Sequence, residues 1–322
     1  MRCLSFAKIN LSLEVLGRRG DGFHELRTIF QTIDLADEIE LDRLPGAIEI
    51  EVLDAPDVPA DERNLAWRAA ESWLTRWGRP RDGVRIRLRK RIPAGGGLGG
   101  GSSNAATVLL GLGALLEREV PRQDLQEAAA ELGSDVPFFL VGGMALGTGR
   151  GEKIQPLPDP DATPLDVWLA VPPVAVSTQE IFTSWRPSVD LPGKAPAKAP
   201  GEWPGAEPPG AGDAPAGVNV GKSTDRPAVE GWRGIPQGWR TSLGRNDLES
   251  TCLALHPQVL AVYNRLSDSG ALAVRLSGSG STIFALYADR AAGKAAGSRL
   301  DVGTLWLRSS TLSRSEWRRR RS

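Results

Sequence analysis

Residues 93–106 read PAGGGLGGGSSNAA, running from Pro93 to Ala106. Between Gly95 and Gly101, six of seven positions are glycine. With no Cβ atoms in the way, such a backbone can turn several N–H groups toward one point. Ser102–Leu116 follows with helical spacing, and Ser102 or Ser103 is the N-cap candidate. A helix entered in this way offers free N–H groups and the positive end of its dipole to an anion. The two serine hydroxyls can donate to phosphate or coordinate a magnesium ion. A classical P-loop requires Gly-Lys-Ser/Thr after the glycines, and here Gly101-Ser102-Ser103 stands instead. Gly95-x-Gly97-x-x-Gly100 has dinucleotide spacing, but that fold places it after the first strand of a βαβ unit. A merely flexible loop seldom lies between a strand and a capped helix.

Upstream, Val84–Ile92 alternates strictly, with Val84, Ile86 and Leu88 on one face and Arg85, Arg87, Arg89 and Arg91 on the other. This is the pattern of a half-buried strand with a wet face; a phosphate-attracting surface is the alternative. Asn64–Trp77 has helical spacing, with Leu65, Ala69 and Trp73 together. Segments 38–42 and 47–53 read as strands. Residues 5–16 alternate as a first strand, with Ala7, Ile9, Leu11 and Leu13 sharing a face, and Gly17–Gly22 is a polar turn. Downstream, Asp124–Leu132 is a helix stopped by Gly133. Ser134-Asp135-Val136-Pro137 reads as a new helix start. Asp166–Val171 and Ala271–Leu276 are strands, the latter running into Ser277-Gly278-Ser279-Gly280-Ser281, and Thr304–Ser309 is the last strand.

Residues 187–240 are dense in Pro, Gly and Ala and read as a disordered insertion, although Trp203, Trp232 and Trp239 are unusual for a plain linker. The basic tail Arg318–Arg321 reads as a frayed terminus, with a weak anion-binding arm as the alternative.

Composition narrows the classes. The chain has 322 residues, 41% of them hydrophobic, enough for two domains. Its 39 basic and 39 acidic residues cancel, so wholesale attraction to nucleic acid or to an anionic membrane is not expected. The two cysteines, Cys3 and Cys252, form no disulfide framework and suit a reducing compartment. Two histidines, His24 and His256, exclude a His-rich metal site. No signal peptide or membrane-spanning run is seen, and a cytoplasmic location is expected.

Three other features are individually unspecific. Lys8 is a lone lysine on the apolar first strand, ordinarily a surface residue on the polar face. Asp135 has the local sequence of an N-cap. Residues 277–281 form either a tight turn or a ligand-lining one.

Taken together and in this order, these segments resemble the GHMP kinases, the family of galactokinase, homoserine kinase, mevalonate kinase and phosphomevalonate kinase. Pro93–Ala106 resembles the family's second motif. Ala7-Lys8-Ile9-Asn10-Leu11, Gly17-Arg18-Arg19 and Asp21-Gly22-Phe23-His24-Glu25-Leu26 are similar to the branch whose acceptor is a cytidylated methylerythritol, in the non-mevalonate route to isoprenoids. Leu132–Phe139 resembles its catalytic aspartate segment, and Arg245–Glu249 and Leu276–Thr282 its later motifs.

The resemblance implies an α+β fold of two domains, 1–158 and 159–322, with the active site in the cleft between them. It implies a small-molecule kinase using ATP with Mg2+, active as a monomer or homodimer, without nucleic-acid or membrane partners. Asp135 would be the general base and Lys8 its neighbour, favouring the ionised carboxylate and the developing alkoxide. Pro93, Gly95, Gly96, Gly97, Leu98, Gly99, Gly100, Gly101, Ser102 and Ser103 would hold ATP, with Ser103 also a metal ligand. Asn64 and Lys90 would line the adenine pocket. Asn10, Phe23, His24 and Phe182 would meet the cytidine-bearing substrate, with Phe23 (commonly tyrosine in the family) and Phe182 sandwiching the base and His24 reading its edge. Another GHMP kinase, of the isoprenoid-alcohol or homoserine type, and a non-catalytic nucleotide-binding protein on the same scaffold are the alternatives.

Overall fold

The computed structural model describes residues 1–158, 166–186, 244–287, 290–300 and 303–321. The expected insertion at 187–240 lies outside the described residues. Strands β1 (Arg2–Arg18) and β2 (His24–Arg43) form a long antiparallel pair. Opposite β1, the edge of β2 is shared by β4 (Val84–Arg89), which pairs with 38–43, and β5 (Met144–Gly149), which pairs with 26–31. β3 (Ile48–Leu53) and β6 (Lys153–Pro156) complete a six-stranded sheet. A second sheet has the order β10 (Leu305–Ser310), β7 (Asp166–Val171), β9 (Ile283–Tyr287), β8 (Ala273–Leu276).

Helices α1 (Leu65–Trp77), α2 (Gly100–Leu115) and α3 (Arg122–Leu132) pack with the first sheet around Trp73, Leu41, Ile86, Leu109 and Phe138. α2 is rich in Ala and Gly, and at Gly111 a Cβ would press on Leu41 Cδ1, so the bare backbone is what lets the helix lie close to the sheet. The arginines of β4 are the wet face expected of them: Arg85 pairs with Glu49, Arg87 with Glu40 and Asp42, and Arg89 with Asp54.

The two sheets share a core. Ala7, Ile9, Leu11, Ile29 and Met144 pack in one cluster with Val167, Leu169 and Phe284. Leu13, expected on the same face, instead joins Val15, Leu248 and Leu276. A register irregularity between Asn10 and Ser12 breaks the alternation there. The other side of β1 is also covered: Lys8, Asn10 and Ser12 are each 3% exposed, so Lys8 is no surface lysine.

The tail is not frayed. Residues Arg314–Arg321 form a helix whose Trp317 packs with Phe6 and Leu312 under the first sheet. Gly142 and Gly143, both with positive φ, leave room for Trp317 and Arg314, and any side chain there would collide with them. The Arg321 guanidinium donates to the Ala106 carbonyl of α2, and burial pulls its pKa down to about 10.

Candidate active site

The glycine loop joins β4 to α2 and is held from two sides. The Lys8 N–H donates to the Leu98 carbonyl at 3.0 Å, and the Leu98 side chain is buried in the shared core. From the other sheet, Thr282 N–H donates to Gly96 O at 3.2 Å and Ser277 Oγ to Gly97 O at 3.0 Å. The small-residue segment 277–281 is therefore the seat of the loop. At Gly97, with φ +75, a Cβ would strike the Ser277 carbonyl.

The helix begins earlier than its serines suggest. Gly99 takes the left-handed conformation and is itself the N-cap, with no side chain capping the first-turn N–H groups. Only a glycine enters this conformation without strain. Ser102 and Ser103 thus lie inside the first turn. Ser103 is 2% exposed; its hydroxyl donates to Phe6 O at 2.7 Å and accepts from Ser5 Oγ. The Ser103 hydroxyl, the expected metal ligand, is thus hydrogen-bonded within the protein. What remains open to an anion is the uncapped N-terminus itself.

Lys8 lies against this turn, since a Cβ on Gly99 would be 3.2 Å from Lys8 Cγ. Its ammonium is 2.7 Å from Asn10 Oδ1, 3.4 Å from Asp135 Oδ2 and 5.6 Å from the Phe30 ring centre. Asn10 in turn donates to Thr28 Oγ1 at 2.8 Å, and Thr28 to Ser12 O at 2.6 Å. A buried cation is costly unless it is paired, and this relay fixes the Asn10 amide so that its oxygen faces Lys8. Asp135 precedes the short helix α4 (Val136–Phe139), yet its carboxylate makes no capping bond. It faces Lys8 with about a third of its side chain, 34%, still exposed.

At the far end of β1 the hairpin tip carries Phe23, 51% exposed, with the Arg150 guanidinium over its ring at 4.8 Å. His24 opens β2. Its ring is stacked with Phe182 at 5.1 Å and meets Trp185 edge-on at 5.9 Å. Phe182 lies on α5 (Thr178–Ser184), which Trp185 terminates. Burial, and secondarily the charge of Arg18, push the His24 pKa below its usual value.

Two family models match the chain, "GHMP kinases N terminal domain" over residues 64–143 and "GHMP kinases C terminal" over residues 236–301. A 4-diphosphocytidyl-2-C-methyl-D-erythritol kinase of Moorella thermoacetica is 40% identical over 299 residues, 92% of this chain and 93% of the relative. One from a Synechococcus species is 42% identical over 284 residues, 88% and 83%. The chain belongs to the 4-diphosphocytidyl-2-C-methyl-D-erythritol kinase family, within the GHMP kinases. A crystal structure of a 4-(cytidine 5'-diphospho)-2C-methyl-D-erythritol kinase superposes with TM-score 0.71 at 33% identity, covering 97% of this chain and 99% of the other. A homoserine kinase from Cytophaga hutchinsonii, at 21% identity and TM-score 0.65, shares the fold.

Of the residues expected to serve this kinase family's site, Lys8, Asn10 and Asp135 meet beside the glycine loop. Both polar ends of the Asn10 amide are used within the protein, which makes it an orienter of Lys8. Asn64 caps α1, accepting from Ala66 N and donating to Pro59 O. Lys90 is tied into a buried pair with Asp37. Both expected adenine-pocket residues thus have structural employment. Phe182 stacks with His24 instead of facing Phe23, because Phe23 projects from the hairpin tip. Thr28 and Trp185 were not legible as site residues. Trp185, just past the end of α5, and an isolated strand threonine carry no local signal of a site.

Proposed function

We propose that this chain transfers the γ-phosphoryl group of ATP to the 2-hydroxyl of 4-diphosphocytidyl-2-C-methyl-D-erythritol, giving the 2-phosphate and ADP. The observation that carries the reading is the Lys8–Asp135 pair standing beside an uncapped, glycine-entered helix N-terminus.

Phosphoryl transfer is mainly positioning and charge stabilisation. The first-turn N–H groups of α2 and the loop backbone receive the phosphates. Asp135 takes the proton of the acceptor hydroxyl, and the Lys8 ammonium stabilises the negative charge left on that oxygen. The His24, Phe182 and Trp185 rings, with Phe23 at the rim, supply stacking faces and an imidazole edge for the cytosine.

Magnesium enters with the nucleotide in this reading and supplies neutralising charge to the phosphates. Among the described residues no group of three or more His, Cys, Asp or Glu side chains forms a cage for it. A cytoplasmic location belongs to the same reading and agrees with both cysteines being free.

The test is a coupled ADP-release assay with ATP, magnesium and the cytidylated acceptor, with mevalonate and homoserine in parallel. Release with the cytidylated acceptor alone is expected. Release with either of the others instead would overturn the substrate assignment.

A further inference from the structure

We infer that Asp37 is the positioning residue for the glycine loop, pinning both of its ends to one buried carboxylate. The inference rests on the reading of residues 93–103 as the ATP-phosphate site.

Asp37 lies on β2 with no exposed surface. Its Oδ1 accepts from the backbone N–H groups of Arg91, at 2.6 Å, and Ile92, at 2.8 Å. These are the last residues before Pro93, where the loop begins. Its Oδ2 accepts from Asn104 Nδ2 at 2.9 Å and pairs with the Lys90 ammonium. Asn104 sits just past the loop, in the opening turns of α2. The Lys90 ammonium also donates to Asn104 Oδ1 at 3.1 Å, and Asn104 Nδ2 donates to Ser5 Oγ at 2.9 Å. Ser5 donates to Ser103 and Ser103 to Phe6 O, so the network closes back onto β1.

One carboxylate therefore receives the entrance of the loop on one oxygen and its exit on the other. The placement matters because of what lies between. Glycine has more backbone freedom to lose than any other residue, and ordering a segment when the ligand arrives subtracts from affinity. Six glycines in a row of seven are the costliest loop to order on demand. Tying both ends to a charge already buried in the sheet moves that cost from binding to folding. Lys90 keeps the carboxylate from being an unpaired buried charge. Its ammonium also lies under the start of the helix, 3.2 Å from where a Gly100 Cβ would be.

The experiment uses the full chain with Asp37→Asn, which keeps the shape and removes the charge that four donors converge on. Two readouts separate positioning from simple stability. The first is amide exchange across 94–102 in the unliganded protein. The second is KM for ATP against KM for the cytidylated acceptor. Exchange in the loop is expected to quicken by about tenfold or more relative to α1 and β7, while KM for ATP rises about tenfold and the acceptor KM and kcat change far less. Unchanged loop exchange in a folded variant would overturn the inference, as would a uniform rise in exchange across the chain. If Asp37→Asn does not fold, Asn104→Ala releases only the exit and leaves Asp37 paired with Lys90; faster loop exchange is then still expected, and its absence counts against the idea. Because exchange is read without any ligand, loss of the substrate assignment leaves this test intact.

Discussion

Lys8 Nζ stands 3.4 Å from Asp135 Oδ2, and the two side chains come from opposite kinds of place. The Lys8 side chain is buried on a strand whose two faces are both covered, whereas the Asp135 side chain stays about a third exposed at the head of a short helix. The cation is thus fixed by its surroundings, and the carboxylate stays partly open to solvent. This asymmetry suits a base that must meet an incoming hydroxyl beside a charge that must not move.

Asp135→Asn is expected to lower kcat by about 10²–10⁴, the span ordinarily lost with a general base. ATP affinity, measured by titration calorimetry, is expected to stay within about threefold, since no phosphate contact is assigned to this side chain. Lys8→Met should also lower turnover sharply, and it should destabilise the fold as well, because Asn10 Oδ1 is left buried without its donor. Near-normal turnover in Asp135→Asn would remove the residue from the base role.

Two glycines of the loop separate backbone strain from collision. Gly95 has φ +70 and open space where a methyl would stand, so Gly95→Ala is expected to cost only the left-handed penalty, about 1–2 kcal/mol. Gly97 has φ +75, and its methyl would meet the Ser277 carbonyl, a backbone atom that cannot swing aside. Gly97→Ala is expected to destabilise well beyond Gly95→Ala and to detach the loop from residues 277–282. Chemical denaturation of both variants checks the order; equal losses would show that the seat on Ser277 is unimportant.

Much of this was legible in the chain because it was carried by local pattern. Val84–Leu88 alternates, so its strand and wet arginine face could be read directly, and six glycines before a helix mark a backbone free to turn its N–H groups toward one point. What stayed hidden was carried by tertiary contact. Asp37 looks like any polar strand residue until Arg91, Ile92, Lys90 and Asn104 converge on it. Lys8 reads as a surface lysine because nothing local says that the second face of β1 is covered. Ser103 reads as a cap because nothing in the local sequence shows that the left-handed turn falls at Gly99, where Lys8 and Phe139 leave no room for a Cβ.

The C-terminal helix gives a stability prediction. Trp317 is 5% exposed and fills a small cluster with Phe6 and Leu312. Trp317→Ala is expected to cost about 3–5 kcal/mol by the usual measure for a buried aromatic. Arg318→Ala and Arg319→Ala, on the exposed side of the same helix, should stay within about 0.5 kcal/mol. Urea denaturation of the three variants distinguishes an anchored helix from a frayed basic tail, which would make all three alike.

The last prediction concerns acid. The His24 pKa is lowered, first by burial beside Phe182 and Trp185 and then by the charge of Arg18. The unfolded chain, with a histidine near 6.5, therefore takes up the proton before the folded one as pH falls. The stability that neutral His24 contributes is complete above about 6.5 and is lost as pH drops through the folded value. Function follows the folded-state titration alone. A neutral imidazole offers one donor and one acceptor to a base edge, and a protonated one offers donors only. KM for the cytidylated acceptor is expected to be flat from neutral pH down past about 6.5, then to rise below it, while KM for ATP does not follow. His24→Gln, which keeps a donor and an acceptor but cannot titrate in this range, should remove the acid limb. An acid limb that persists in His24→Gln would place the titrating group elsewhere.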